Sequence, residues 1–375
     1  MAGRKPSPPP YSLFCKSGVL CLLLFLTPIV LSFVIHKTRF FGSGDYLFSV
    51  SGTRPLRRRL LQASERIGKG LRGPMNLAYD GETGYLYIGC CDSWIRRVGL
   101  VGDENDEHRV EDWVRVGGEP RGIALAPDRS LIVADAYEGL LKVMPDKTIK
   151  LLTYEAEGVA FALTSAVDVA SDGVIYFIDG ATTNDAVSDV LKILLAKPQG
   201  RLMSFDPSTN RTVVLARDLC YVNALTLSSD QNSLIFCEVI LRRCRRYHIR
   251  GENRGKIDKF IEKLPGFPYS ISYEQEGHYW IGLSWGRTCY QQLQYEYPIL
   301  RKIAYILNEF GALPDYLSQF EGLSVTLEGT PLHIYTAREL LNGTSWLKIG
   351  KYLYYSSWCK NYISRVDLTQ YVAEE

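Results

Sequence analysis

A short turn containing Gly or Asp, followed by three apolar residues, recurs six times along the chain. Most copies lie about 45 residues apart, which is the spacing of four-stranded propeller blades. One blade alone cannot bury both of its faces, so blades become stable when they pack in a ring. The repeat therefore predicts an all-β fold, a six-bladed β-propeller over residues 71–370. The apolar runs are Leu86–Ile88, Leu131–Val133, Ile175–Phe177, Leu234–Phe236, Tyr279–Ile281 and Leu353–Tyr355.

An alternating apolar segment precedes each turn, and we expect it to form the innermost strand of its blade. Two residues before its first apolar anchor, the chain should enter the central tunnel. These positions, together with the residue after each, are the ones from which a propeller builds a site. The six first positions are Met75, Arg121, Ser165, Asn223, Tyr269 and Ser345, and they are followed by Asn76, Gly122, Ala166, Ala224, Ser270 and Trp346. As pocket candidates we select Met75, Arg121, Ser165, Asn223, Tyr269 and Ser270.

The composition of these positions argues against a bound metal ion. Calcium takes six to eight oxygen ligands, and these usually include carboxylates. None of the positions holds Asp or Glu. We therefore predict that the tunnel holds no metal and that the protein has no cofactor.

The N-terminal arm carries a targeting signal. Gly18 to Ile35 is apolar and uncharged, and its length is close to that of a membrane-spanning helix. No small-residue cleavage site follows it. We predict a cytosolic tail over 1–17, a transmembrane signal anchor over 18–36 and a linker over 37–70, although a cleaved signal peptide is the alternative. The propeller would then lie in the lumen of the secretory pathway, in the endoplasmic reticulum, the vacuole or at the cell surface.

Glycosylation sequons and cysteines bear on the same placement. Asn210 and Asn342 each begin an Asn-x-Thr triplet, which is an acceptor for glycans in lumenal proteins. Cys237 and Cys244 would oppose each other if Ile240 and Leu241 form a hairpin turn. Opposed cysteines bridge only when their Cβ atoms approach more closely than is usual across strands, so the sequence leaves disulfide pairing open.

The net charge and one long insertion also bear on what the protein binds. Lys and Arg total 43 and Asp and Glu total 41, so no basic face for nucleic acid is indicated. The longest insertion, about residues 285–322, has apolar residues near helical spacing. We interpret it as a helical lid over the tunnel, with packing across the top of the ring as the alternative.

Several short sequence segments of the propeller resemble those of the plant strictosidine synthase-like family. They include Glu155–Val159, Gly200–Leu202, Leu234–Glu238 and Leu264–Pro268. A more distant similarity links the chain to adipocyte plasma membrane-associated protein and to the paraoxonase-type lactonases. The resemblance implies a six-bladed propeller with one of two activities. One is condensation of an amine with an aldehyde by a carboxylate in the last blade, and the other is hydrolysis at a tunnel calcium held by Glu, Asn and Asp.

The chain departs from this family where the chemistry should be. Met75 stands where the family has a glutamate, Ser165–Ala166 where it has an Asn-Asp pair, and Tyr269–Ser270 where it has Asp-Asn. Asn223 is the member of the set that remains. The stretch Leu341–Leu347 has no carboxylate where the synthase glutamate would fall.

These replacements predict a propeller that keeps the scaffold without the known chemistry. Because a Tyr replaces a carboxylate and a Met adds a soft wall, we expect a ligand that is small, neutral and partly aromatic. Three functions stay open. The first is a metal-free small-molecule pocket, in a binding protein or in an enzyme of unknown chemistry. The second is an ester or lactone hydrolase or an amine–aldehyde condensing enzyme of specialised metabolism. The third is a non-catalytic interaction platform.

Overall fold

The computed structural model describes residues 56–61, 64–100, 108–180, 198–274, 277–284, 300, 319–341 and 343–373. Their strands form six antiparallel blades and one short hairpin. In the first four blades the strands follow one another in sequence from the inside of the ring to the outside. The prediction of a six-bladed propeller is confirmed.

The first three blades contain four strands each. The first consists of β3 (Pro74–Asp80), β4 (Tyr85–Cys90), β5 (Trp94–Gly99) and β6 (Val110–Arg115). The second consists of β7 (Pro120–Leu125), β8 (Leu131–Asp135), β9 (Gly139–Val143) and β10 (Ile149–Thr153). A hairpin of β11 (Glu155–Ala156) and β12 (Val159–Ala160) precedes the third blade. That blade consists of β13 (Thr164–Val169), β14 (Ile175–Asp179), β15 (Pro198–Asp206) and β16 (Arg211–Cys220).

The last three blades include the strands that close the ring. The fourth consists of β17 (Val222–Leu227), β18 (Ser233–Glu238), β19 (Arg243–His248) and β20 (Ile257–Ile261). The fifth contains β21 (Phe267–Glu274), β22 (His278–Ser284), β23 (Gln319–Thr326) and β24 (Pro331–Leu341), extended by β1 (Arg57–Leu61) and β28 (Tyr371–Ala373). The sixth contains β25 (Gly343–Ile349), β26 (Tyr352–Ser357), β27 (Ile363–Asp367) and, outermost, β2 (Glu65–Ile67).

The apolar runs of the repeat are the second strands of the blades. Every residue of β8, β14 and β18 is buried, because a strand inside a blade is covered on both faces by the neighbouring blades. The hydrophobic core therefore lies between blades rather than within one of them. One cluster, for example, joins Ile95 of the first blade to Val133 of the second. The six inner strands contact one another in sequence, and β25 contacts β3, so the ring is continuous.

The predicted linker over 37–70 is wrong for its C-terminal part, since β1 and β2 lie within it. The sixth blade takes three strands from the C-terminal end of the propeller, and β2 supplies the fourth by pairing with β27. The basic run Arg57–Arg59 within this segment belongs to β1, which pairs in parallel with β24. Within it, Arg59 Nη1 donates a hydrogen bond to the Tyr335 hydroxyl at 2.8 Å. Ring closure, a long-range requirement, overrides the local composition.

Other predictions fall outside the described residues. These are the anchor over 18–36, the sequon residue Asn342 and most of the proposed lid, although residues 319–322 of that insertion belong to β23. No helix among the described residues is long and apolar enough to cross a membrane.

Cys237 and Cys244 form a disulfide across β18 and β19. The turn between these strands is centred on Ile240 and Leu241, because Arg242 N donates a hydrogen bond to Val239 O at 3.1 Å. The residues therefore oppose each other as the turn predicts, and the bridge ties the middle of the fourth blade together.

Closure by β2 predicts a large effect of shortening Ile67, which is 1% exposed. Ile67→Ala should lower the free energy of unfolding by about 2–5 kcal/mol, because it leaves a cavity in the core. Ile149→Ala is a matched control on the outermost strand of the second blade, where the side chain is 40% exposed. That change should cost less than about 0.5 kcal/mol. Equal effects in denaturant unfolding would contradict closure of the ring by β2.

Candidate functional site

Each inner strand contains a β-bulge close to its first residue. A bulge leaves an extra residue unpaired and bends the strand locally. In the third blade two residues, Ser165 and Ala166, lie between the paired positions. By equivalence with the other blades, the bulge residues are Met75, Arg121, Ser165, Asn223, Tyr269 and Thr344. We call this set the bulge ring, and the end of the tunnel where it lies the upper end.

A single cavity of about 580 Å³ contains all six predicted pocket residues in its lining. Five of them belong to the bulge ring, whereas Ser270 is the next residue of its strand and pairs with Gly282. The structure thus brings the six candidates to one end of one cavity.

In the sixth blade the predicted tunnel position, Ser345, lies one residue after the true bulge residue. Thr344 is the bulge residue, and Ser345 pairs with Ser356. The alternation is ambiguous here because Trp346 and Leu347 are both apolar, and the predicted position Ser345 follows only if Leu347 is the first anchor. Trp346 is the true anchor and is fully buried. A Cβ atom on Gly322 would lie 2.8 Å from its ring, so a glycine in β23 makes room for the indole.

Buried carboxylates hold the backbone that leads into three of the inner strands. Asp135, Asp179 and Glu238 end the second strands of the second, third and fourth blades, and each is at most 2% exposed. Each accepts a hydrogen bond from an N–H just before its own blade's inner strand or bulge, at 3.1, 2.8 and 3.1 Å. The donors are, in order, Glu119, Leu163 and Cys220. These bonds fix where the chain enters the ring and therefore where the bulge residues lie.

Polar side chains of the inner strands also join neighbouring blades. Each such bond links a side chain to a backbone group of the adjacent inner strand. The pairs are Asn76 with Ile123 (3.4 Å), Asp168 with Leu227 (2.8 Å), Asn223 with Tyr269 (3.3 Å), Ser272 with Trp346 (2.8 Å) and Thr344 with Pro74 (3.2 Å). Several oxygen and amide groups that line the cavity are therefore already engaged in holding the ring together.

The second and third blades approach each other more closely than side chains would allow. A Cβ atom on Gly122 would lie 2.7 Å from the carbonyl oxygen of Ser165. A glycine is needed here because no other residue leaves space for the neighbouring backbone. This contact places Arg121 and Ser165 side by side in the bulge ring.

Two charged residues lie at the upper end of the cavity. Glu119 immediately precedes β7, and Arg121 is the bulge residue of that strand; both line the cavity. Arg121 Nη2 lies 3.5 Å from Glu119 Oε2, and the side chains are 14% and 17% exposed. Ser165 Oγ is buried nearby and has no hydrogen-bond partner in the described structure. Tyr269 and the half-exposed Trp358 add aromatic surface to the lining.

A third charged group, Asp168, lies further along the same cavity. Its Oδ2 accepts hydrogen bonds from Leu227 N at 2.8 Å and from Thr226 Oγ1 at 3.1 Å, while Oδ1 accepts one from Val169 N. Burial inside the ring raises the pKa of Asp168, and these hydrogen bonds oppose the rise. Asp168 therefore links two blades and is also a carboxylate that faces the cavity.

The side chains of the bulge ring carry functional groups of several kinds. Asn223, Ser165, Tyr269 and Thr344 supply an amide and three hydroxyls, Met75 supplies a thioether, and Arg121 supplies a guanidinium. Among the described residues, no group of three or more His, Cys, Asp and Glu side chains is placed to hold a metal ion.

Glu119, Asp168, Thr344 and Trp358 line the cavity but were not among the predicted pocket residues. The sequence could have indicated Glu119, since it directly precedes an inner strand. It could also have indicated Asp168, because this is a charged residue inside an apolar inner strand. Trp358 follows β26 in a loop, and only the fold shows that this loop reaches the cavity. The repeat locates strands well, but it does not report which loops fold over their ends.

Comparison with known proteins identifies relatives over nearly the whole chain. A family profile described as strictosidine synthase matches residues 165–252. Strictosidine synthase-like 6 of Arabidopsis thaliana is 41% identical over 357 residues, which cover 93% of this chain and 95% of that protein. Adipocyte plasma membrane-associated protein of Salmo salar is 34% identical over 71% of this chain and 66% of its own length.

Solved structures show the same architecture at much lower identity. A gluconolactonase of Xanthomonas campestris aligns with a TM-score of 0.58 at 12% identity, covering 84% of this chain and 99% of that one. At this identity the similarity concerns the fold alone.

The raised pKa of Asp168 predicts a distinctive pH dependence. Its folded pKa lies above the ordinary value of 3.8, so the folded state holds the proton more tightly than the unfolded state. The resulting stability is fully present below pH 3.8 and is lost as pH rises through the folded pKa. Asp168→Asn cannot titrate, so its melting temperature relative to wild type should rise between about pH 4 and pH 7.

Asp146→Asn is the control, because the Thr148 N–H lowers the pKa of this exposed carboxylate. Its relative melting temperature should fall or stay constant over the same range. A pH-independent difference between Asp168→Asn and wild type would show that the Asp168 carboxylate is not perturbed by burial.

Proposed function

The chain belongs to the strictosidine synthase-like family, and on this basis we propose that its central cavity binds a small, neutral, partly aromatic molecule without a metal ion. The observation that carries the proposal is the composition of the bulge ring. These six positions converge on one cavity, and none of them bears a carboxylate. A cavity of about 580 Å³ has the size of a small-molecule site.

The bulge ring is poorly suited to calcium. That ion takes six to eight oxygens, and carboxylates balance its charge. Here the guanidinium of Arg121 faces the cavity, and a cation near a divalent ion in a poorly solvated site is repelled. Asn223 directs its amide nitrogen to the carbonyl oxygen of Tyr269 at 3.3 Å. We therefore derive no reaction step through a metal.

The lining supports a neutral ligand with aromatic character. Tyr269 and Trp358 provide aromatic faces, which contribute large contact areas and stack with flat ligands. Met75 is unbranched and polarisable, so it adapts to ligands of irregular shape. Glu119 and Arg121 oppose each other in charge, so this end of the cavity offers polarity without net charge.

Neither activity of the family's better-known members is supported by these residues. Calcium-dependent hydrolysis of an ester or lactone lacks carboxylate ligands at the positions of the bulge ring. Amine–aldehyde condensation lacks its glutamate, since Leu341–Leu347 contains no carboxylate. We propose that binding of the ligand is the primary function of the cavity.

We further propose that residues 18–36 anchor the protein in a membrane of the secretory pathway, with the propeller in the lumen. The disulfide between Cys237 and Cys244 fits an oxidising compartment. Asn210 is exposed in the turn between β15 and β16, where a glycosylating enzyme can reach it. One group of relatives is named for its association with the plasma membrane.

The metal-free cavity predicts that calcium has little effect. Isothermal titration of the full chain should show no calcium binding tighter than about 1 mM, the weak end of the range for extracellular modules. A chelator should leave the melting temperature unchanged, because an ion bound only to the native state stabilises it. Clear stabilisation by calcium would show that Asn223 and backbone carbonyls suffice to hold it.

A reverted variant serves as the positive control for this titration. Met75→Glu, Ser165→Asn, Tyr269→Asp and Ser270→Asn together restore the family's residues. If the backbone of the bulge ring has kept its geometry, this variant should gain calcium-dependent stabilisation and arylesterase or lactonase turnover. A folded variant with neither property would show that the backbone has diverged as well.

The topology proposal predicts that protease added outside intact microsomes leaves the propeller uncut. Endoglycosidase treatment of the solubilised protein should increase its mobility on a gel. Asn210→Gln should remove the part of this shift that comes from the exposed sequon. Digestion of the propeller from the cytosolic side, with no change of mobility after deglycosylation, would contradict the lumenal placement.

A further inference from the structure

Two asparagine side chains of the cavity use one half of their amide to hold the ring together. Asn76 Oδ1 accepts a hydrogen bond from Ile123 N at 3.4 Å, which joins the first blade to the second. Asn223 Nδ2 donates one to Tyr269 O at 3.3 Å, which joins the fourth blade to the fifth. Both asparagines line the cavity and are partly exposed. One half of each amide is therefore committed to the scaffold.

The backbone partners also fix the orientation of each amide. A backbone N–H only donates, so the oxygen of Asn76 must face Ile123. A backbone carbonyl only accepts, so the nitrogen of Asn223 must face Tyr269. The remaining half of Asn76 is therefore an NH2 donor, and the remaining half of Asn223 is a carbonyl acceptor.

These remaining halves are accessible from the cavity. Within the described part of the chain, neither the Asn76 nitrogen nor the Asn223 oxygen makes a hydrogen bond. Neither atom is among the fully buried polar atoms that lack a partner, so both can be reached. A ligand that excludes water from such groups without replacing its hydrogen bonds loses affinity. A matching ligand therefore supplies an acceptor to Asn76 and a donor to Asn223.

The donor and the acceptor lie on opposite walls of the tunnel. The six inner strands contact one another in sequence, and β25 contacts β3, so the first and fourth blades face each other across the ring. Asn76 belongs to β3 and Asn223 to β17. Asn223 is a bulge residue and Asn76 directly follows one, so both lie at the upper end. One ligand can therefore reach both groups only with its two polar ends.

We propose that Asn76 and Asn223 bind the two ends of one flat, neutral ligand, which carries a carbonyl oxygen at one end of an aromatic ring and a hydroxyl group at the other. A carboxylate would accept from Asn76 but has no proton to donate to Asn223, and an ammonium ion has the opposite defect. This inference rests on the proposed function, since it names the polar groups of the ligand of the same cavity and their placement.

Four probes that share a benzene ring test the placement. 4-Hydroxyacetophenone carries the carbonyl and the hydroxyl at opposite ends, 4-methoxyacetophenone lacks the donor, and 4-ethylphenol lacks the carbonyl. In 2-hydroxyacetophenone the two groups are adjacent and bond to each other. Dissociation constants are measured by ligand-observed NMR on the full chain in lipid nanodiscs, below neutral pH, where all probes are uncharged. 4-Hydroxyacetophenone should bind about threefold to tenfold more tightly than each of the others, because each comparison removes a hydrogen bond.

Two variants assign the two ends. Asn223→Ala removes the acceptor, so the preference for 4-hydroxyacetophenone over 4-methoxyacetophenone should disappear. Asn76→Asp keeps an oxygen for Ile123 N but replaces the donor by an acceptor, so the preference over 4-ethylphenol should disappear. Each ratio compares two ligands on one protein, so general loosening of the ring does not account for its loss.

Asn253→Asp is the matched control, because it makes the same chemical change in the exposed turn between β19 and β20. Asn253 Oδ1 accepts a hydrogen bond from Lys256 Nζ at 3.0 Å, and an aspartate keeps that acceptor. All four dissociation constants should stay as in the wild-type protein. If a cavity variant lacks a cooperative melting transition, the probe series on the wild-type protein decides the question alone.

The outcomes separate this inference from the proposed function. Equal affinities of the four probes for the wild-type protein, or tighter binding of 2-hydroxyacetophenone, would overturn the inference but leave a cavity that binds aromatic molecules. Persistence of either ratio in its folded variant would do the same. Failure of all four probes to bind the wild-type protein would overturn the proposed function and this inference together.

Discussion

The structure depends on how each inner strand is held as it enters the ring. A bulge near the start of every inner strand interrupts the ladder at equivalent positions. In three blades a buried carboxylate at the end of the second strand accepts a hydrogen bond from a backbone N–H of the segment that leads into the inner strand. An unpaired backbone N–H in a buried place is costly, so this bond fixes the segment. The cavity, and every residue that lines its upper end, is a consequence of that arrangement.

Polar side chains that join neighbouring blades explain how the propeller scaffold can be kept while the chemistry of its cavity changes. Asn223, Asp168 and Thr344 each bond to the backbone of a neighbouring blade. These side chains therefore contribute to cohesion of the ring whatever the cavity binds. The side chain of Met75 has no such bond among those described between inner strands, so its position can vary with the ligand. We propose that substitution at such positions accompanied a change from a metal site to a site for a neutral molecule.

The sequence predicted the ring because its signal is local and repeated. A turn followed by a buried second strand appears in every blade, and period-two alternation located five of the six bulge residues. The shift at Thr344 arose because Trp346 and Leu347 are both apolar, so alternation alone does not choose between them. The strands β1 and β2 were missed because their pairing partners lie about 300 residues away in sequence, as with Glu65 and Arg365. Trp358 reaches the cavity through a loop, and a repeat of strands does not report which loops fold over their ends.

The most direct test of the central claim is a crystal structure of the protein grown with millimolar calcium, with anomalous diffraction data collected at long wavelength. We predict no anomalous peak at the upper end of the cavity, because the bulge ring has no carboxylate to balance the charge of the ion. A calcium peak within the bulge ring, coordinated by Asn223 and backbone carbonyls, would contradict it.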